Sequence, residues 1–303
     1  MSKYTLPFAL VTACSISLPA YAEFRTGGYV ATQSYNVFRD SGSDTRQTDT
    51  YFEATAAYRT GTLEASVTYY ANWDGDQNWG NQDFDENDSG PFVTLAYGNL
   101  SVSYGQQRGA GNLIPEDFFL FNDITSTDAD VLRFDYHSEN HAFAMSFETE
   151  SDFDFEVGYV GNFPILGADN RPLTVLAGFE QDNQEGHFSI GRLDGEWGYL
   201  ATLNPDFLGG DDANEFGVTV FKRLAENWDL AVNYAHTMAG TPEGLSAILN
   251  FGKENYSFKL EVNRDLEDSE TKVELGGIYF FGERSIPEQR DLKTKDYLAR
   301  FGY

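Results

Sequence analysis

Apolar and polar side chains alternate along this chain with a period of two, segment after segment, and no helical periodicity is sustained, which predicts strands. In TLEASVTYYANW (62–73), Leu63, Ala65, Val67, Tyr69, Ala71 and Trp73 share one face, while Glu64, Ser66, Thr68, Tyr70 and Asn72 share the other. YFEATAAYR sets Phe52, Ala54, Ala56 and Tyr58 against Glu53, Thr55 and Arg59, and VLRFDYH sets Leu132, Phe134 and Tyr136 against Arg133, Asp135 and His137. In NWDLAVNYAH and NYSFKLEVN the same alternation separates Trp228, Leu230, Val232 and Tyr234, then Tyr256, Phe258, Leu260 and Val262, from their neighbours. Candidate strands fall near 24–38, 49–60, 62–73, 91–97, 99–106, 130–137, 140–150, 154–163, 172–181, 186–193, 196–203, 213–222, 228–237, 244–251, 255–263 and 271–281.

Alternation alone also fits a soluble sandwich. Three features favour a transmembrane antiparallel barrel of about sixteen strands, with fourteen or eighteen as alternatives. Aromatic residues sit at strand ends (Tyr58, Trp73, Tyr97, Tyr136, Trp197 and Trp228), where the membrane interfaces place girdles. Short connections such as Arg59-Thr60-Gly61 and Gly98-Asn99 alternate, early in the chain, with long acidic ones at 39–49, 74–90 and 108–130. The alternation weakens at Pro164 to Pro172, a long connection where a short one is due. Finally, VELGGIYFF (273–281) and DYLARFGY (296–303) both end in aromatic residues two apart, Tyr279 and Phe281, then Phe301 and Tyr303. An even strand count puts both ends of the barrel on one side. Closure is expected at Phe281, leaving 282–303 as a tail; the competing reading makes that segment the closing strand.

The first residues change the picture of where the chain resides. Met1-Ser2-Lys3, an apolar run and Ala20-Tyr21-Ala22 form a secretory leader over 1–22, with cleavage expected after Ala22 and a barrel over 23–281. Cys14, the chain's one cysteine, lies inside this leader, so no disulfide is expected. A formal net charge of −28 makes nucleic acid an improbable partner and cations natural ones.

In the third long connection, GNLIPEDFFLFND, the run Pro115-Glu116-Asp117-Phe118-Phe119 is similar to the Pro-Glu-Phe turn of the general porins of Gram-negative outer membranes, with Asp117 intervening and the family's Gly-Gly absent. The resemblance covers nearly the whole mature chain as a pattern. It implies a multi-pass barrel in the Gram-negative outer membrane, with this loop folded inward to narrow a water-filled pore. It also implies a homotrimer among lipid and lipopolysaccharide, inserted by the barrel-assembly machinery. Glu116, Asp117, Asp123 and Asp128 would then supply negative charge at the constriction. Arg25, Arg46, Arg59 and Arg133 would stand on the facing wall, with Lys259 and Lys272 as further candidates. Passive diffusion of small hydrophilic solutes, with a preference for cations, follows from the excess of acids.

Other chemistry is thinly signalled. Asp74, Asp76 and Asp85 partly match a calcium-loop spacing, but Trp79 stands where glycine is needed. The four histidines lack metal spacing, and no cofactor is expected. His236 could serve an outer-wall esterase, although no partner can be named. A substrate-selective channel with Tyr51, Tyr70 and Phe119 along the lumen, or a structural barrel plugged by residues 282–303, remains an alternative. The small outward residues Ala54, Ala56 and Ala65 would suit contact between protomers or with lipid.

Overall fold

A computed structural model describes residues 22–40, 44–76, 84–107, 109–113, 129–149, 154–164, 172–181, 184–193, 196–205, 214–237, 242–253, 255–266 and 269–282. Sixteen strands follow one another: β1 (Ala22–Arg39), β2 (Thr45–Thr60), β3 (Leu63–Asp76), β4 (Phe84–Tyr97), β5 (Leu100–Gln107), β6 (Ala129–His137), β7 (His141–Glu148), β8 (Phe155–Phe163), β9 (Leu173–Glu180), β10 (Glu185–Arg192), β11 (Trp197–Asn204), β12 (Glu215–Ala225), β13 (Trp228–Thr237), β14 (Pro242–Lys253), β15 (Tyr256–Asp265) and β16 (Glu270–Gly282). Each pairs antiparallel with its sequence neighbours, and β16 returns to β1, so the sheet closes. In hydrocarbon every backbone donor and acceptor needs an internal partner, and closure removes the edge that would lack one.

The expected segments all recur as strands, with one chief departure. Residues 74–90 read as a loop because glycine, proline, asparagine and aspartate break strand patterns. Instead β3 and β4 keep their ladder from Leu63↔Tyr97 up to Gly75↔Phe84, with a register shift at Asn72/Trp73. The lower ladder already holds the two strands side by side, and this tertiary constraint overrides the local preference for a turn. β1 to β4, at 18, 16, 14 and 14 residues, therefore outrun the ~9–11 that a tilted strand needs to cross, while β5 to β11 stay at 8 or 9. At the opposite end, Gly61 and Gly98 take φ of +61° and +59° as the first residues of two-residue turns, a position that side-chain-bearing residues resist.

Period two now acquires direction. Leu95, Leu100, Val102, Tyr104, Val220, Val232, Phe258 and Leu275 remain exposed on the outside, the pattern of a lipid-facing band. Tyr97, Tyr136, Trp197 and Trp228 lie exposed near the turn end of the barrel, with the Lys222 ammonium 4.5 Å over the Trp197 ring. Polar and small residues point inward, joined on β9, β11, β12 and β14 by Leu176, Leu200, Phe221 and Ile248.

The seam between β1 and β16 joins chain ends far apart in sequence. Phe281 stacks on Phe52, with ring centroids 6.2 Å apart, over Gly28, where an added Cβ would collide with the Glu53 carbonyl and the Phe281 ring. Tyr29 and Phe280 meet on the inner side, with centroids 6.1 Å apart. Toward the other end, Arg39 pairs with Glu270, and Arg264 reaches Asp40 at 3.1 Å.

Candidate functional site

After β5 the chain turns into the barrel. A 3-10 turn at Ala110–Leu113 lies against β7, β8 and β9. Its backbone is fixed by side chains of the inner wall: Ala110 N donates to Ser146 Oγ at 2.7 Å and Gly111 N to Glu156 Oε2 at 2.7 Å. Arg133 Nη1 donates to the Gly109 carbonyl at 2.9 Å, and its Nε donates to Asp135 Oδ1 at 2.9 Å. Behind the turn, Gln107 Nε2 donates to the Val131 carbonyl at 2.9 Å. Arg133 is wholly buried, so its charge depends on Asp135 and on that carbonyl for solvation. Thus the third long connection begins inside the barrel, as the resemblance implied.

This turn covers part of the inner face of β7 to β9. Ala110 belongs to a buried cluster with Val160, Leu176, Leu193, Leu200, Phe221, Ala231 and Ile248, all on inner-wall positions or continuing them. Between them runs a neutral polar array: His187 Nε2 and Ser189 Oγ at 2.8 Å, Ser189 Oγ and Thr202 Oγ1 at 2.7 Å, and Asn233 Nδ2 to Ser246 Oγ at 3.2 Å. Ser189 is wholly buried and bonded to both neighbours, which suits a wall element better than a nucleophile. The inner faces of β5 to β14 are largely shut away from water.

The inner face of β15, β16 and β1 is different. Lys259, Glu261, Asn263, Lys272, Gly276 and Ile278, with Tyr29, Ala31, Gln33 and Tyr35 across the seam, keep part of their surface exposed. Glu261 and Glu274 are cross-strand partners, and Glu274 is paired with Lys259 at 2.5 Å and with Lys272 at 3.1 Å. Lys259 also lies 3.4 Å from Glu261, and the Lys272 ammonium sits 4.2 Å over the Tyr35 ring.

The expected wall arginines do not converge. Arg25 faces inward near the turn end and pairs with Glu64 at 3.2 Å. Arg59 shares that inner face by register and is exposed, its Nε 3.4 Å from the Gly61 carbonyl. Arg133 is spent on the infolded turn. Arg46 corrects an expectation: it pairs with Asn36 on the outward face, because the β1–β2 ladder runs from Ala22↔Thr60 to Val37↔Thr45 without a bulge. The acids Glu116, Asp117, Asp123 and Asp128 lie outside the described residues, as do Phe119, Phe301, Tyr303, Cys14 and the leader.

Asp74 and Asp76 belong to β3 and Asp85 to β4, with Asp74 opposite Asp85, so the proposed twelve-residue calcium loop is strand at both its ends. Among the described residues, no group of three or more His, Cys, Asp or Glu side chains is placed to hold a metal ion. His236 faces outward between the rings of Phe216 and Tyr234. Tyr51 and Tyr70 fall on inner positions by register. Tyr279 is exposed on the outer face, as are, in part, Ala54, Ala56 and Ala65.

A closed sixteen-stranded antiparallel barrel with an apolar outer band, whose third long connection begins against the inner wall, is the porin fold. No family model matches the chain, and no curated protein does. Among solved structures it is similar to a triple mutant of the Rhodopseudomonas blastica porin, with a TM-score of 0.64 at 9% identity over 86% of this chain and 100% of that one. Another variant of the same porin gives 0.63 at 11% identity, again over 86% and 100%. A structure described as "Asymmetric conductivity of engineered proteins" gives 0.62 at 11% identity over the same shares.

Proposed function

We propose that the protein is an outer-membrane porin: a water-filled channel for passive diffusion of small hydrophilic solutes and ions. The observation that carries this reading is the inner wall of β15, β16 and β1, which keeps ionised and polar side chains in contact with water inside a barrel whose outer face is apolar. A barrel of this strand number is too wide for wall side chains alone to fill. No catalytic step is part of the reading.

Cation preference belongs to the same proposal and rests on charge placement by sequence. On the accessible strip, Lys259 and Lys272 balance Glu261 and Glu274. The excess of acids lies elsewhere: residues 74–90 alone hold Asp74, Asp76, Asp83, Asp85, Glu86 and Asp88 and no basic residue. Acids gathered around one mouth raise the local cation concentration there. A leader cleaved after Ala22, a homotrimer, and contacts with lipopolysaccharide and the assembly machinery complete the proposal; Ala54, Ala56 and Ala65 are small outward residues compatible with a protomer interface.

Planar-bilayer recording tests it. Purified, folded protein is expected to give discrete conductance steps, arriving in threes for a trimer, with a reversal potential toward the cation limit. Anion preference would overturn the selectivity claim. A plugged structural barrel is the second reading, favoured by the burial of the inner faces of β5 to β14; inserted protein that carries no current would support it.

A further inference from the structure

The accessible strip has an internal arrangement that neither the fold nor the net charge requires. Along β15 the inward positions read Lys259, Glu261, Asn263; along β16, running the opposite way, they read Lys272, Glu274, Gly276. Register places Glu261 opposite Glu274, Lys259 opposite Gly276, and Asn263 opposite Lys272. Two carboxylates therefore face each other directly, with one lysine to either side of them along the barrel. Like charges in that position repel unless countered, and both lysines close on Glu274.

Glu274 is the buried member of the set at 4% exposure, and its two oxygens divide the lysines between them: Oε1 takes Lys259 and Oε2 takes Lys272. Lys272 is the outermost, 39% exposed at the side chain. Gly276 lies beside the Lys259 stem, and an added Cβ there would make ordinary contact with Lys259 Cβ and Cε at 3.7 Å. The arrangement holds two ammonium groups against the wall through one carboxylate.

We propose that ions traverse the barrel along the β15–β16–β1 wall and that Glu274, by neutralising and holding Lys259 and Lys272, sets the charge discrimination of that path. The proposal rests on the channel reading above. Without the Glu274 charge, two ammonium groups face the water with Glu261 alone against them, and the strip changes from neutral to net positive. A unit charge about 7 Å from a passing ion, in a water-like dielectric screened by about 0.1 M salt, changes local cation and anion concentrations in opposite senses by a factor of about 1.6 each, and so their ratio about 2- to 3-fold. Because the Debye length is about 10 Å at 0.1 M salt but about 3 Å at 1 M, the effect must fade as salt rises.

The test is the reversal potential of folded protein in planar bilayers under a KCl gradient, at low and at high mean salt. Glu274→Gln is expected to lower the cation-to-anion permeability ratio about 2- to 3-fold at low salt, with most of the change gone near 1 M. Glu274→Asp should stay near the parent protein, and Lys272→Gln should shift the ratio the opposite way. A purely structural role for Glu274 would give no salt-dependent shift. Conducting channels whose ratio is unmoved by both Glu274→Gln and Lys272→Gln would overturn the proposal while leaving the channel reading intact. If Glu274→Gln does not fold, Lys272→Gln alone decides, since its side chain is the more exposed. Absence of current from the folded parent protein would instead defeat the channel reading, and this inference with it.

Discussion

On β9 and β11 the inward Leu176 and Leu200 are shut away from water, whereas on β1 and β16 the inward Gln33, Tyr35 and Lys272 keep part of their surface wet. Both sets stand on the inner face of one continuous sheet and obey the same alternation. In front of β7, β8 and β9 packs the 3-10 turn after β5, while the inner side chains at the seam keep exposed surface. The sequence chemistry follows suit. The covered half is largely apolar or neutrally polar, and its wholly buried Arg133 is held by Asp135. The wet half carries a chain of ion pairs. A barrel interior is thus two environments, and a residue's inward direction does not say which one it enters.

Substitutions in the covered half should act on stability. Arg133→Ala strips Asp135 of its buried partner and releases the Gly109 carbonyl, so a loss of about 3–5 kcal/mol in urea unfolding from lipid vesicles is expected. Replacing the pair together, as Arg133→Met with Asp135→Leu, should recover most of that loss; if the double variant is as unstable as the single, an uncompensated charge is not the cause. Leu200→Ala should cost about 2–5 kcal/mol in the same assay, by lost burial and the cavity left behind. A cost near zero would mean that Leu200 is wet and the two halves are alike. Leu95→Arg, on the outer face, should cost about 2–4 kcal/mol if that residue lies near the bilayer midplane and less toward an interface. In the wet half, Lys272→Gln should change stability by no more than about 1 kcal/mol, as befits a partly exposed ion pair.

Much of the fold was legible because the alternation is strongest where one face meets water and the other lipid. β15 is of this kind, and its two faces separate cleanly in the sequence. Leu173 to Phe179 and Tyr199 to Leu203 carry no charged residue on either face, and such uncharged, largely apolar runs are the sign of burial on both sides. It was the available clue to the covered half. The infolded turn was legible only through its resemblance, since Ser146 and Glu156 lie 36 and 45 residues from the backbone groups they accept. Arg46 shows the same limit, because its face depends on a ladder whose phase is set by the rest of β2. The Glu274 arrangement was half visible: Lys259 and Lys272 read as inward, but which carboxylate holds both is a matter of cross-strand register.

The most direct test of the central claim, a water path along the seam wall, is the single-channel current of two cysteine variants exposed to a charged, membrane-impermeant thiol reagent. Cys14 is the chain's only native cysteine and lies in the expected leader, so each reagent site is defined. Lys272→Cys is predicted to react quickly, with a step change in conductance, while Ser246→Cys, at a buried inward position on β14, should react slowly or not at all. Equal reaction at both sites, or conducting channels in which only Ser246→Cys responds, would contradict the account.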